Sequence, residues 1–435
     1  MSAEIAKNSV RTLLYDAVAM AVGQQLPITE LRGIALFDPR RDARLTDLAS
    51  FAAAAPAIIT IPNFETRYGG DEVYRILLQL IYEYFKHSGD IRFDEAAFES
   101  LWRDFLAELK ETHWVYLGVA NLRHFRKENS PLELLNLGDG ITIRGRSRAD
   151  LTSLGLDEQV WDRITEDWHT AFGSSSFVLV AEHRAAKEPG NLIRMDSFSP
   201  VTKALRAIQT LRLCGPGWVG MGPMWMTRAA RFNVGIGGLN QSGFSMPTMG
   251  TEYIWTDSMK GQYATIYGEL VQLEKDGYAK APGNLGVALR VFDRLPSGQD
   301  SQLLDAITTL EALFGIEIEL SFRLAFRVAA LLATSDKERS ELFDLMKGFY
   351  DTRSRIVHGG TLRPKHQQYL GKIEELRSLV RRLLRSFIAF AVNPPTRYGK
   401  RFFEERLDAA LLDATERERS VKHSVFDKKR QRNPR

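Results

Sequence analysis

Three side chains near the C-terminal end of the chain, Arg353, Ser354 and His358, combine a fixed cation, a hydroxyl and a proton-transfer group in one short stretch. Histidine moves protons near neutral pH, and arginine stays charged and can hold a phosphate through two hydrogen bonds. Metal-free RNA cleavage needs such groups, because the 2'-hydroxyl loses a proton, the 5'-oxygen gains one and the phosphorane needs positive charge nearby. The stretch therefore predicts phosphodiester chemistry.

Helix geometry restricts how these residues can cooperate. At about 100° per residue, Ser354 and His358 share one helix face, whereas Arg353 and His358 point roughly 140° apart. Either the helix loosens at the Gly359-Gly360 stop, or a second copy of the chain completes the site across a two-fold axis. The bland alternative is a helix cap, in which the cations only complement the C-terminal dipole.

Composition is typical of an ordinary globular protein. The chain has 435 residues, of which 44% are hydrophobic and 26% charged, enough for two or three domains. A single cysteine, Cys214, excludes an intrachain disulfide and a cysteine-cluster metal site, and we expect a cytoplasmic protein without metal or cofactor. The most apolar run, 51–62, is too short to cross a membrane, and the N-terminus lacks a signal-peptide core.

The excess basic charge is concentrated at the C-terminus. Residues 417–435 carry eight Lys or Arg and two acidic residues, a net of +6, whereas the whole chain carries +4. A basic terminus with few apolar residues is typical of a mobile foothold for nucleic acid. A solvated terminus without a partner is an equally weighted alternative.

The first 256 residues mix helical and strand periodicity. Helical spacing of apolar residues predicts helices over 9–24, 71–87, 93–109 and 201–211. Runs of β-branched and apolar residues predict strands over 56–62, 113–122, 137–143 and 177–183. Residues 214–250 predict turns between short strands, with Trp218, Met224 and Trp225 in a core or interface. The Gly235-Ile-Gly237-Gly238 run lacks the spacing of a nucleotide-binding loop.

From residue 257 onward the apolar spacing is helical throughout. The predicted helices are 263–276, 285–295, 301–314, 317–333, 337–358 and 367–392. Short connections favour antiparallel neighbours. We therefore expect an α+β fold: a mixed α/β N-terminal region of one or two subdomains over 1–256, an all-α bundle over 257–395, and a short helix with a basic tail over 396–435.

Three blocks of this bundle resemble the C-terminal domain of the Apea-like HEPN family. They are 303–315 (LLDAITTLEALFG), 319–332 (ELSFRLAFRVAALL) and 350–360 (YDTRSRIVHGG), in the family's order. The resemblance covers roughly residues 285–392, and the earlier region is similar only in general pattern. It implies a HEPN-type helical bundle that forms a homodimer and, in catalytic members, a metal-independent endoribonuclease.

The resemblance also implies a mechanism. Two His358 side chains meet at the dimer axis, where one accepts the 2'-hydroxyl proton and the other protonates the leaving oxygen. Arg353 stabilises the phosphate, and Ser354 and Glu311 orient the pair, Glu311 being matched to the family's supporting acid. The products are 2',3'-cyclic phosphates and 5'-hydroxyls.

A second candidate for the supporting acid is Glu319. Its spacing of four from Arg323 favours a local helix pair instead.

Further arginines are candidates for holding the RNA. Arg355 lies inside the motif, and three more recur every fourth residue on the last long helix: Arg377, Arg381 and Arg385. A basic stripe can follow a single-stranded backbone. A solvated helix face is the slightly favoured alternative for the stripe.

HEPN ribonucleases act in prokaryotic antiviral defence and toxin systems, where a sensor region controls the nuclease. By that analogy, residues 1–280 would recognise a regulatory trigger or partner. A non-catalytic dimeric module that binds nucleotide, nucleic acid or a partner protein is the competing interpretation. Binding of duplex DNA through the basic tail is a third hypothesis.

Overall fold

The fold is mixed α+β, as predicted, with helices before and after a sheet. The structure, a computed structural model, describes residues 2–30, 44–65, 73–87, 91–128, 134–145, 177–186, 199–228, 252–278, 281, 283–294, 298–315, 319–393, 408, 412 and 413. No helix in these ranges is long and apolar enough to cross a bilayer.

Within the described ranges, four helices form the N-terminal unit. They are α1 (Ser2–Gly23), α2 (Ala49–Ile59), α3 (Val73–His87) and α4 (Glu95–Lys110). Their apolar faces enclose a core of their own, which contains Leu13, Phe51, Phe85 and Phe105. The sequence predicted α1, α3 and α4; α1 begins seven residues before its predicted start, and the other ends differ by at most two residues.

The strand predicted over 56–62 is wrong, because its first residues belong to α2. The buried residues Phe51, Ala54, Ala55 and Ile58 recur at helical spacing, so the buried face is that of a helix. The alanine-rich start favours helix, and Pro56 is tolerated inside it. The run from Pro56 to Pro62 holds only the last part of this helix, so its apolar residues alone do not show the helical spacing.

Seven strands follow in the part of the chain that the structure describes. They are β1 (His113–Arg123), β2 (Phe125–Lys127), β3 (Leu135–Gly138), β4 (Ile141–Gly145), β5 (Phe177–Ala186), β6 (Gly220–Arg228) and β7 (Tyr253–Trp255). Five form a sheet in the order β3-β4-β5-β1-β6, in which every pair is antiparallel. β2 pairs with β7 in parallel. The strands predicted over 113–122 and 177–183 are confirmed, and 137–143 spans the hairpin of β3 and β4.

The hairpin turn is fixed to two helices. Asp139 and Gly140 have φ values of 50° and 73°, as a tight two-residue turn requires. The Asp139 carboxylate accepts hydrogen bonds from Lys203 at 3.0 Å and from Tyr267 at 2.8 Å. Lys203 lies on α5 (Ser199–Cys214) and Tyr267 on α6 (Lys260–Asp276), so the turn joins the sheet to both.

The remaining helices form the C-terminal bundle with α6. They are α7 (Leu285–Phe292), α8 (Gln299–Phe314), α9 (Leu320–Leu332), α10 (Asp336–Val357), α11 (Pro364–Leu370) and α12 (Ile373–Val392). The single helix predicted over 367–392 is wrong, because the chain breaks at Gly371-Lys372 into α11 and α12.

Sheet and bundle share one core. Ala120, Ile143 and Leu179 of the sheet belong to the same buried cluster as Leu211 of α5 and Leu383 of α12. The domain boundary expected between residues 256 and 257 therefore lies inside a continuous core. The gap between the two cores falls instead near the start of β1, where Tyr116 packs with the N-terminal helices.

Gly283→Ala should unfold the bundle more readily than Gly277→Ala. Both residues have positive φ, 57° and 74°, which costs about 1 kcal/mol or more for alanine. A Cβ on Gly283 would also lie 2.0 Å from the carbonyl oxygen of Leu313, whereas a Cβ on Gly277 would meet no atom. We expect losses of about 3 kcal/mol and about 1 kcal/mol in unfolding free energy, measured by denaturant titration. Equal losses would contradict this packing.

Candidate active site

Helix α10 carries the Arg-Ser-His motif at its C-terminal end. The helix begins at Asp336 after the Ser335 N-cap and ends at Val357, with His358 as C-cap. Gly359, at φ +64°, donates to the carbonyl of Ile356 at 3.1 Å, and Gly360 donates to that of Arg355 at 2.8 Å. These two bonds form a Schellman stop, which a glycine with positive φ makes possible.

Arg353 points from α10 towards α8. Its guanidinium lies 3.5 Å from the carboxylate of Glu311, and the two side chains are 25% and 18% exposed. Tyr350 completes the group: its ring lies 5.6 Å from the guanidinium. Burial, together with the charge of Glu311 and a hydrogen bond to it, raises the pKa of Tyr350 against the opposing effect of Arg353.

Glu311 and Arg353 both retain hydrogen-bonding capacity. Nε of Arg353 and Oε1 of Glu311 are buried and make no hydrogen bond within the described part of the protein. A single contact of 3.5 Å does not saturate a planar guanidinium, which has five donors. The arginine can thus stay oriented by Glu311 and still donate to a phosphate oxygen.

His358 is exposed at the end of the same helix. Its backbone N–H donates to the carbonyl of Ser354 at 3.1 Å, so the residue still follows the helical path and has not turned back towards Arg353. No side-chain hydrogen bond joins Ser354 to His358, although both are described. The structure therefore brings Arg353 together with Glu311, and leaves His358 free to meet another molecule.

Helix α11 is tied to α10 by residues that the sequence pattern did not mark. Nδ1 of the buried His366 accepts from the backbone N–H of Arg363 at 3.0 Å, so Nε2 carries the proton and donates to Asp351 at 3.2 Å. Lys365 also donates to Asp351, at 2.9 Å, and this bond is the main cause that lowers the pKa of that carboxyl. No local pattern in the sequence marks this triad.

The arginine stripe of α12 is not on the surface. Arg377 and Arg381 are each 5% exposed, so both the predicted RNA track and the alternative of a solvated face are wrong for these two residues. Arg377 lies 4.6 Å from the centre of the Trp218 ring, and both guanidinium groups face Glu374, at 3.4 and 3.8 Å. Burial lowers the pKa of both arginines, that of Arg381 to about 10. Trp218 and Met224 are buried, as expected.

Arg355 and Arg385 are partly buried. The Arg355 side chain runs beside Gly360, where a Cβ would lie 3.2 Å from its Cδ. The Gln262 amide faces Arg385, and with the amide oxygen turned towards the guanidinium it accepts hydrogen bonds from Arg385. Arg385 also acts on the Glu269 carboxyl. Burial raises the pKa of Glu269 to about 7, and the positive charge of Arg385 opposes this rise. Of the four arginines proposed to bind RNA, Arg355 is the one that lies inside the motif.

Glu269 predicts a pH dependence of stability. Its carboxyl pKa is raised from 4.5 to about 7 in the folded chain, so the folded state binds the extra proton between these values. Stability should therefore fall as pH rises from about 5 to about 7, by roughly 1 kcal/mol once partial solvent exposure is allowed for. Glu269→Gln should flatten this part of the profile, measured by denaturant titration at several pH values. An unchanged slope in the variant would assign the dependence to another group.

The local pair expected between Glu319 and Arg323 is wrong. Arg323 donates instead to Asp408, at 3.0 and 2.6 Å, and Glu319 has a φ of 53° at the start of α9. Glu311 is therefore the acid that contacts the motif.

Some predicted features lie outside the described residues, namely the Gly235–Gly238 run and residues 417–435. The short helix near 402–412 is described only at residues 408 and 412. Within the described ranges, no group of three His, Cys, Asp or Glu side chains is placed to hold a metal ion.

Compared with protein-family models, curated proteins and solved structures, the chain shows no match. The interpretation of the site therefore depends on its own residues and geometry.

Proposed function

We propose that the chain is a metal-independent endoribonuclease of HEPN type, which cuts RNA through attack of the 2'-hydroxyl. The observation that carries the proposal is that α10 presents both Arg353, which pairs with Glu311 of α8, and an exposed His358 at its C-terminal end. The Arg and His supply a phosphate ligand and a proton-transfer group, the minimum for this reaction. By the resemblance, the enzyme would act as a regulated effector in prokaryotic defence.

The proposed reaction begins with removal of the 2'-hydroxyl proton by one His358. The 2'-oxygen then attacks the phosphorus, and the bond to the 5'-oxygen breaks as a second His358 donates a proton to it. Arg353 stabilises the charge on the phosphorane oxygens, while Glu311 holds the guanidinium in place. The fragments end in a 2',3'-cyclic phosphate and a 5'-hydroxyl.

A homodimer would supply the second histidine. Arg353 faces α8, whereas His358 stays on the helical path and points roughly 140° away by helix geometry. Because α10 continues without loosening as far as its C-cap, one chain alone does not complete the site. A two-fold axis near the end of α10 would bring both His358 side chains to one phosphate, beside Arg353 of one or both chains.

The four N-terminal helices and their separate core suit a regulatory role in this proposal. A trigger that binds this unit would act on the bundle through the sheet, since β1 contributes buried residues to both cores. Tests of activity should therefore use the full chain, and include RNA classes that differ in structure.

Cleavage in the presence of EDTA tests the proposal. Purified protein is incubated with total RNA and with transfer RNA, beside a His358→Ala variant. Fragmentation by the parent protein alone is expected. Equal fragmentation by both proteins would rule out His358 as the catalytic residue.

A second candidate is a non-catalytic dimeric module that binds nucleotide, nucleic acid or a partner protein. The ion pair between Arg353 and Glu311 favours this non-catalytic module, because the Glu311 carboxylate already balances the charge of Arg353. This candidate predicts RNA binding, measured by fluorescence anisotropy, that is retained in the His358→Ala variant and is never followed by cleavage.

A further inference from the structure

Two arginines of α9 hold one carboxylate from the C-terminal segment. Arg323 donates to Oδ2 of Asp408 from Nε at 3.0 Å and from Nη2 at 2.6 Å. Arg327 donates to Oδ1 from Nε at 2.6 Å and to Oδ2 from Nη2 at 2.9 Å. Four charge-assisted hydrogen bonds thus converge on the two oxygens of one anion.

Arg327, one of the two arginines of this fork, is positioned independently of Asp408. Arg327 also donates from Nη1 to the carbonyl of Phe314 at 3.0 Å, which fixes its guanidinium against the end of α8. Its side chain is 4% exposed, whereas those of Arg323 and Asp408 are 32% and 30% exposed. The carboxylate therefore covers the solvent side of the fork, and its removal would open both guanidinium groups to solutes.

Electrostatics favour an anion in this position. The pKa of Asp408 is lowered, because hydrogen bonds from Arg327 and Arg323 outweigh the effect of burial. A nearly buried arginine without an anionic partner is strongly unfavourable. Forks of two guanidinium groups suit phosphate as well as carboxylate, since both anions present oxygens at matching separations.

We infer that Arg323 and Arg327 form a phosphate-binding fork, and that Asp408 occupies it as an internal stand-in for a phosphate group. The fork lies one helical turn beyond Glu311, because Phe314 and Glu311 are three residues apart on α8. A phosphate bound there would release Asp408 from α9. The inference does not depend on RNA cleavage.

Binding of inorganic phosphate tests the fork. Asp408→Asn keeps the size of the side chain but removes its charge, and we expect it to bind phosphate at least about tenfold more tightly than the parent by isothermal titration calorimetry. The double variant Asp408→Asn/Arg323→Gln serves as the control and should lose this gain, which separates the fork from Arg353. Equal phosphate affinity in the parent and Asp408→Asn would overturn the inference.

A second titration distinguishes a polynucleotide backbone from free phosphate as the ligand of the fork. A single-stranded RNA of ten nucleotides is titrated into both proteins on a His358→Ala background, which prevents cleavage by the proposed site. Tighter RNA binding by the Asp408→Asn protein would identify a polynucleotide backbone as the ligand. A gain for inorganic phosphate alone would identify a free phosphate.

A measurement on the parent protein covers the case in which Asp408→Asn does not fold. Phosphate should displace Asp408 and speed limited proteolysis within residues 396–413, relative to chloride at the same ionic strength. A cleavage rate that does not change with phosphate would show that the ion pair is only a structural tether.

Discussion

His358→Ala should reduce the rate of RNA cleavage by about 10² to 10⁴-fold, because it removes the proposed base and acid together. The side chain is exposed at the C-cap of α10 and takes part in no described hydrogen bond, so the fold should be unaffected. The rate is measured on a defined single-stranded RNA with the full chain in EDTA. Thermal unfolding should occur within about 1 °C of the parent, as expected for a surface substitution.

His113→Ala is the matched control for this variant. His113 is also exposed, but lies at the start of β1 and outside the motif. The His113→Ala protein should cleave RNA at the rate of the parent protein. A similar loss in both variants would show that the assay responds to histidine removal in general, and a fully active His358→Ala protein would contradict the assignment.

Arg353→Ala should lower the cleavage rate by about 10² to 10³-fold, the usual effect of removing one group that stabilises charge in the transition state. Arg353→Lys should recover only part of the activity, because an ammonium is a point charge and does not bind a phosphate through a planar fork. The measurement is single-turnover cleavage of the same RNA. The substitution should weaken RNA binding much less than it lowers the cleavage rate.

Glu311→Gln separates a catalytic role of Arg353 from a structural one. The substitution keeps the size of the side chain and removes the charge that faces Arg353 at 3.5 Å. If Glu311 positions the arginine, the double variant Glu311→Gln/Arg353→Ala should be no slower than Arg353→Ala alone. If the double variant's loss of activity equals the product of the two single losses, Glu311 and Arg353 act independently. If Glu311→Gln lowers stability but leaves the cleavage rate unchanged, the ion pair is purely structural.

The helices of the bundle could be predicted from sequence because their apolar residues repeat with a period near 3.6. The break between α11 and α12 was missed, since Gly371 and Lys372 interrupt the helix without interrupting the apolar pattern. The strand predicted over 56–62 is wrong for a different reason: the five residues between Pro56 and Pro62, AIITI, fit either a strand or a helix. The tertiary core that buries Phe51 and Ile58 decides for the helix.

The candidate site could be predicted in part. The motif was found by residue type and spacing, and Glu311 by resemblance, and the contact of Glu311 with Arg353 agrees with that pairing. Burial of Arg377 and Arg381 could not be predicted from a stripe on one helix, because it depends on Trp218, which approaches from a different part of the chain. Asp408 likewise meets α9 only in the folded protein, 81 residues after Arg327.

The chemistry of the RNA ends is the most direct test of the proposed function. The full chain in EDTA is incubated with a defined single-stranded RNA, and the fragments are weighed by mass spectrometry. We predict 2',3'-cyclic phosphates and 5'-hydroxyls, and no cleavage at a position where the RNA carries a 2'-deoxy sugar. Fragments with 5'-phosphates, or cutting that continues at the deoxy position, would contradict 2'-hydroxyl attack and with it the role assigned to His358 and Arg353.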